Sequence, residues 1–194
     1  MSLYVPEILQ YTWANKPATA PLGQIICITD VGENGILCRG NGTKWVRMHA
    51  IRYYDLTAPV SLTGTTIETV LASFTLKGGL LGANGKLKIW PLASATSNAN
   101  NKTMYFKMES VTFFSAAYTT PSASIQPVWL IRNNNSESSQ ISFSSGSQQG
   151  LGTSSIAATT ASVDTSVDVT CTFSAKLTNE SDTFTLHGFF VELI

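Results

Sequence analysis

Apolar residues in this chain recur at every second place far more often than at every third or fourth. No stretch of about 12 residues keeps the i, i+3, i+4, i+7 spacing of an amphipathic helix. The clearest alternation lies near the end. Val167, Val169, Cys171, Phe173, Ala175 and Leu177 fall on one side, and Asp168, Thr170, Thr172, Ser174 and Lys176 on the other. One buried and one wet face is the mark of an antiparallel sheet. The following segment, Asp182 to Leu193, breaks the rule once. Phe184 and Leu186 share one side, while Phe189, Val191 and Leu193 share the opposite one. A period of two cannot place both sets inside. The pattern therefore predicts a β-bulge near Gly188, or burial of both faces by another subunit.

The same reading predicts strands elsewhere. In Thr65 to Leu76, the residues Val70, Ala72, Phe74 and Leu76 alternate with Leu71, Ser73 and Thr75. Lys86 to Trp90 alternates after the Asn84-Gly85 turn, and Ser94 to Asn101 reads as polar loop. Met104, Phe106 and Met108 alternate with Tyr105, Lys107 and Glu109. Further strands are expected at 111–118, 126–132, 139–144 and 153–160. Near the start, short β-prone runs at 24–29, 36–39 and 44–48 are separated by Asp30 to Gly35 and by the hairpin signal Asn41-Gly42. The expected architecture is all-β: an antiparallel, jelly-roll-like β-sandwich over 58–194, preceded by a small three-stranded β-meander module over 1–57. That module has too little apolar surface for a core of its own and is expected to lean on a neighbour or another subunit.

Composition narrows the function. Only 12% of the 194 residues are charged, with 12 basic and 12 acidic side chains, while Ser and Thr number 22 and 24. No basic excess is present to hold phosphates, so nucleic acid is not an expected partner. No apolar run approaches the roughly 20 residues of a membrane span, so membrane insertion is not expected. Met1 to Glu7 lack the basic and apolar regions of a signal peptide. Residues 1–108 hold 10 basic and 5 acidic side chains, and residues 109–194 hold 2 and 7, a polarity of +5 against −5. Three cysteines exclude a complete disulfide framework. Cys171 reads as a buried small hydrophobe. Cys27 and Cys38 flank a turn and are read as free thiols, with pairing left open.

Catalytic chemistry finds no foothold. The imidazoles are His49 and His187, and no G-x-S-x-G elbow surrounds a serine. His187, among Thr183 and Thr185, reads as a surface residue. No CxxC, HExxH or EF-hand spacing is present, and Asp164 and Asp168 would lie about 13 Å apart on one strand face. Gly78-Gly79-Leu80-Leu81-Gly82 lacks the Lys-Ser/Thr of a phosphate loop. No enzyme, metal or cofactor is expected. Lys77, Lys86, Lys88, Trp90, Lys102, Tyr105 and Lys107 interleave cations with aromatics, a set suited to an anionic glycan or an acidic neighbouring subunit. Trp45, Trp90 and Trp129 are the candidates for stacking on sugar rings.

Two stretches carry a resemblance. Pro17, Gly23, Gln24 to Gly32, Gly35 and Asn41-Gly42-Thr43-Lys44-Trp45 resemble a short β module of tailed-bacteriophage fibre and virion proteins. Leu80 to Ile89, then Asn100-Asn101-Lys102-Thr103 and Phe189 to Leu193, are similar to the C-terminal β-rich domain of such proteins. The resemblance implies a non-enzymatic virion structural protein made in the bacterial cytoplasm. It implies a homotrimer that contacts other virion proteins, as a fibre, tip or receptor-binding component at a bacterial surface glycan. A capsid or tail decoration protein that never touches the host is the alternative.

Overall fold

The structure is a computed structural model, and it describes residues 8–31, 35–48, 50–54, 56, 58–119, 123–143 and 158–194, with backbone alone at 52–54 and 143. Among these residues every regular element is a strand. His49 and the expected strand positions 144 and 153–157 lie outside them. The chain divides into two compact units, Met1–Tyr53 and Tyr54–Ile194.

The first unit is one sheet in the order β1-β2-β3-β4, built from β1 (Gln10–Tyr11), β2 (Ile25–Ile28), β3 (Ile36–Gly40) and β4 (Trp45–Arg47). The last three form the expected meander, with Ile26 opposite Cys38 and Arg39 opposite Val46. The fourth strand was not expected. β1 joins parallel to β2, Gln10 beside Cys27, and two residues show no period for a pattern to reveal. Ile26, Ile28, Ile36, Cys38 and Trp45 are buried on one face, while Ile25 and Val46 are exposed on the other. β5 (Ile51–Tyr54) straddles the division between the units.

The second unit is a two-sheet sandwich. Its strands are β6 (Val60–Thr63), β7 (Thr69–Leu76), β8 (Lys86–Ala95), β9 (Lys102–Met108), β10 (Val111–Tyr118), β11 (Ser124–Ile125), β12 (Trp129–Asn133), β13 (Gln140–Phe143), β14 (Ala158–Ala161), β15 (Val169–Leu177) and β16 (Thr183–Leu193). One sheet runs β10-β9-β15-β7. The other runs β14-β13-β12-β8-β16, with β11 on β8 and β6 on β16. These pairings are antiparallel, as the alternation predicts. Aromatic rings join the two inner faces. Phe189 of β16 lies 4.6 Å from Phe173 of β15 and 5.9 Å from Phe74 of β7, between ring centroids. Trp129 of β12 stacks on Phe114 of β10 at 4.9 Å and 6°.

The phase slip in β16 is a bulge. Leu186 pairs with Ala93 but Gly188 with Leu92, so His187 is the added residue. It lets Phe184 and Leu186 on one side of the slip, and Phe189, Val191 and Leu193 on the other, all enter the core. A second slip escaped the sequence. Ala72 pairs with Phe173 but Val70 with Ser174, so Leu71 and Ala72 are both buried and Val70 is 57% exposed. Val167 also departs from expectation, being exposed just ahead of β15. β8 runs five residues beyond Trp90, through Pro91 to Ala95, into the expected loop. Pro91 fits because pairing with β12 stops at Ile89 and pairing with β11 starts at Ala93. The missing N–H falls where that ladder is already interrupted.

Two polar clusters lie inside this unit. Asn133 donates to Gly82 O and Thr165 Oγ1, and Gln140 donates to Asn133 Oδ1 and Val163 O. These bonds tie the β12–β13 hairpin to the segment before β15. The second cluster holds Lys102, which is 1% exposed although lysine is rarely buried. Its Nζ donates to Asn98 O at 3.2 Å and to Asn98 Oδ1, and stands 3.8 Å from Asp182 Oδ2. Asn98 Nδ2 donates to Asp182 Oδ1 at 2.6 Å. The ammonium is a tethered cation that joins the β8–β9 loop to the β15–β16 loop.

All three described thiols are free. Cys38 pairs with Ile26 on the inner face of its sheet, whereas Cys27 pairs with Leu37 on the other, so the two side chains point apart and form no bond. Burial raises the pKa of Cys38 and, more strongly, of Cys171. Only the thiolate is reactive. Native protein exposed to an alkylating reagent should therefore be labelled first at Cys27, by peptide mass spectrometry. Labelling of Cys171 at the same rate before unfolding would contradict this burial.

Candidate functional site

The side of the β8–β16 sheet that faces away from the core groups aromatic and polar side chains. Strand alternation turns Leu87, Ile89, Pro91 and Ala93 inward, which sends Lys86, Lys88, Trp90, Leu92 and Ser94 outward. On β16 the outward set is Thr185, Phe190 and Glu192, with His187 standing out at the bulge. Register places Phe190 opposite Trp90 and Glu192 opposite Lys88. The two rings lie 5.0 Å apart at 56°, and Lys88 Nζ sits 4.2 Å from the Trp90 centroid. Leu92 and Leu130 extend this patch and are 50% and 43% exposed. Contiguous apolar surface rimmed by polar groups marks contact sites.

At one end of the patch, Ser94 Oγ and His187 Nε2 are 2.7 Å apart, and Ser61 Oγ and Thr185 Oγ1 are 2.8 Å apart. These hydroxyls and the imidazole can each accept as well as donate. Sequence spacing does not reveal the first pair, because its members are 93 residues apart and the bulge sets the reach of His187. At the other end, β12 places Arg132 opposite Lys86 and Leu130 opposite Lys88.

The three tryptophans read as sugar contacts fare differently. Trp129 is 1% exposed and stacked in the core, and Trp45 is 9% exposed with Nε1 donating to Pro17 O at 2.7 Å. A sugar ring reaches neither. Both correct the expectation: a tryptophan in a short alternating run fills an interior as readily as it lines a surface. Trp90 alone of the three stands on an outer face, partly exposed.

The interleaved set of cations and aromatics also separates. Lys86, Lys88 and Trp90 lie on this sheet, whereas Tyr105 and Lys107 lie on β9 of the other, and Lys102 is interior. Lys107 Nζ is 5.3 Å from the Tyr105 centroid and pairs with Glu68 Oε1 at 2.5 Å. Ser174 Oγ donates to the same oxygen at 2.6 Å. Burial alone would raise the pKa of Glu68. The bonds from Lys107 and Ser174, with the charges of Lys107 and Lys176, outweigh that and hold it below the ordinary carboxylate range. The charges of Lys107 and Glu68 are thus paired with each other.

Asp164 and Asp168 are each bonded by close neighbours. Asp164 Oδ1 accepts from Ser166 N and Oγ, and Asp168 accepts from Lys77 Nζ and Gly78 N. Among the described residues no group of three or more His, Cys, Asp or Glu converges on one point. Among them also, no helix is long and apolar enough to cross a membrane.

No known protein family matches the chain, and no curated protein matches it. Among solved structures it is similar to dimeric latent PorU from Porphyromonas gingivalis, at 12% identity and TM-score 0.35, over 74% of this chain and 13% of that one. It is similar to the VP2 subviral particle of infectious bursal disease virus, at 10% identity and TM-score 0.37, over 92% of this chain and 41% of that one. It is also similar to a lectin from Bauhinia forficata in complex with GalNAc, at 9% identity and TM-score 0.29, over 91% and 90% of the two chains. The chain thus spans well under two thirds of the first two. Likenesses this slight carry no function across.

Proposed function

We propose that this chain is a non-enzymatic structural protein of a tailed-bacteriophage virion, a trimeric fibre, tip or receptor-binding component that contacts the bacterial surface. The sequence resemblance described above motivates the class. The observation that carries host contact is the outward Trp90–Phe190 pair, with exposed Leu92 and Leu130 beside it, held on one sheet. Aromatic rings fixed on a strand give contact area at small entropic cost. Purified protein should bind host cells, and Trp90→Ala should lower that binding about tenfold, a change of some 1.4 kcal/mol. Full binding by the variant would exclude this patch.

A capsid or tail decoration role is the second reading. It is favoured by Ile25, Val46 and Met48, which leave 40%, 41% and 50% of their surface exposed on the first unit. Such a face suits contact with another virion subunit. Virion binding without cell binding would select it. Light scattering at micromolar concentration tests the trimer, and a monomer there would remove it.

A further inference from the structure

We infer that the outer face of the β8–β16 sheet binds an acidic polysaccharide, with its anionic groups at Lys86, Lys88 and Arg132 and its sugar rings running over Trp90 toward Ser94 and His187. This rests on the surface-contact reading above and names the ligand chemistry of the same face.

The first support is a conflict built into the sheet. Lys86 and Arg132 stand directly opposite each other, both exposed, and like charges in opposed register destabilise a strand pair. Among the described residues neither has an ion-pair partner. Lys88, one outward step along β8, adds a third cation, and its cross-strand neighbour is the acid Glu192. Positive charge is concentrated there in a chain whose formal net charge is zero. A bound anion removes the repulsion.

The second support is the order of chemistry along β8. Outward positions follow one another about 6.8 Å apart. Cations at Lys86 and Lys88 give way to the ring of Trp90, then to Leu92, then to the Ser94–His187 pair. An acidic sugar chain carries the same sequence of needs: an anion, a ring face rich in C–H bonds, and hydroxyls that donate and accept. Lys88 lies over Trp90, so an anion that draws the ammonium aside uncovers the ring. Single-stranded nucleic acid also combines phosphate with stacking rings. It is less suited here, because Glu192 interrupts the cations and the chain has no basic excess.

The test is affinity electrophoresis of the full chain in gels containing hyaluronate, a uronate polymer, or uncharged dextran, with poly-dT as competitor. Hyaluronate should retard the protein and dextran should not. The double variant Lys86→Gln/Arg132→Gln should weaken retardation about tenfold, as should Trp90→Ala, with Lys176→Gln on the opposite sheet as the unaffected control. Circular dichroism confirms that each variant is folded. Four results overturn the inference: no retardation, retardation independent of Trp90, displacement by poly-dT at lower concentration than by hyaluronate, or a changed oligomeric state in the double variant. Cell binding that survives the double variant overturns the acidic ligand and leaves the proposed function standing. Absence of any cell binding removes the proposed function instead.

Discussion

Lys102→Met is expected to destabilise the protein by about 3–5 kcal/mol, the usual result of removing one partner from a buried ion pair. Lys102 is 1% exposed, and its ammonium is the cation that Asn98 and Asp182 surround. Methionine fills the same length but leaves the Asp182 carboxylate and the Asn98 carbonyl without it. In a unit of this size, the melting temperature should fall by roughly 6–20 °C. The double variant Lys102→Met/Asp182→Asn should recover part of the loss, because the uncompensated charge goes with the carboxylate. Urea denaturation followed by tryptophan fluorescence measures both. A single-variant loss under about 1 kcal/mol would show that the ammonium does not hold the two loops together.

The same cluster fixes an acid dependence. Asp182 has its pKa lowered, first by the bond from Asn98, against a cost of burial, and further by Asn100 and Lys102. A depressed carboxylate stabilises the fold above its unfolded pKa, and that stability is lost as pH falls through the folded one. Wild-type protein should therefore lose stability on acidification below the ordinary carboxylate range more steeply than Asp182→Asn. Equal slopes would place the acid sensitivity elsewhere.

Trp129→Ala is the second large effect, at about 3–5 kcal/mol, from the cavity left when a buried aromatic is truncated. Its ring is 1% exposed and lies flat against Phe114, joining the two sheets. Phe114 would lose its stacking partner and the inner faces would close only in part. Trp90→Ala should cost less than about 1 kcal/mol, because its neighbours Phe190 and Lys88 share an outer face. The two tryptophans thus separate stability from binding. A Trp129→Ala protein as stable as wild type would contradict the inter-sheet stack.

The sequence made most of this sandwich legible where one strand alone decides its own faces. β15 alternates cleanly because one side is core and the other water, and the bulge in β16 showed as a broken phase. Where partners decide, the pattern fell silent. Leu71 and Ala72 are both inside because β15 slips against β7, which nothing near Val70 announces. The alternation of Lys86 to Trp90 was visible, but the run of β8 on through Pro91 to Ala95 depends on neighbours that leave the ladder open beside the proline. Lys102 groups in sequence with the cations suited to an anionic glycan, and only the Asp182 loop, far along the chain, takes it inside. The outer-face site was half legible. Lys86, Lys88 and Trp90 are adjacent in sequence, whereas Arg132, His187 and Phe190 join them only through register.

That register also sets an order in time. β16 enters the sheet between β8 and β6, and the residues it joins are far upstream: Ser94 lies 93 places before His187, and Ser61 lies 124 before Thr185. Until β16 arrives, β8 has a bare inner edge and, among the described residues, β6 has no strand to pair with. Refolding should belong to the slow end for chains of this size, where distant segments must meet before any contact rewards them. The vulnerable moment is while β8 stands open. During it the β16 of a second chain matches that edge as well as its own does, so crowding nascent chains together favours exchanged strands over closed single molecules.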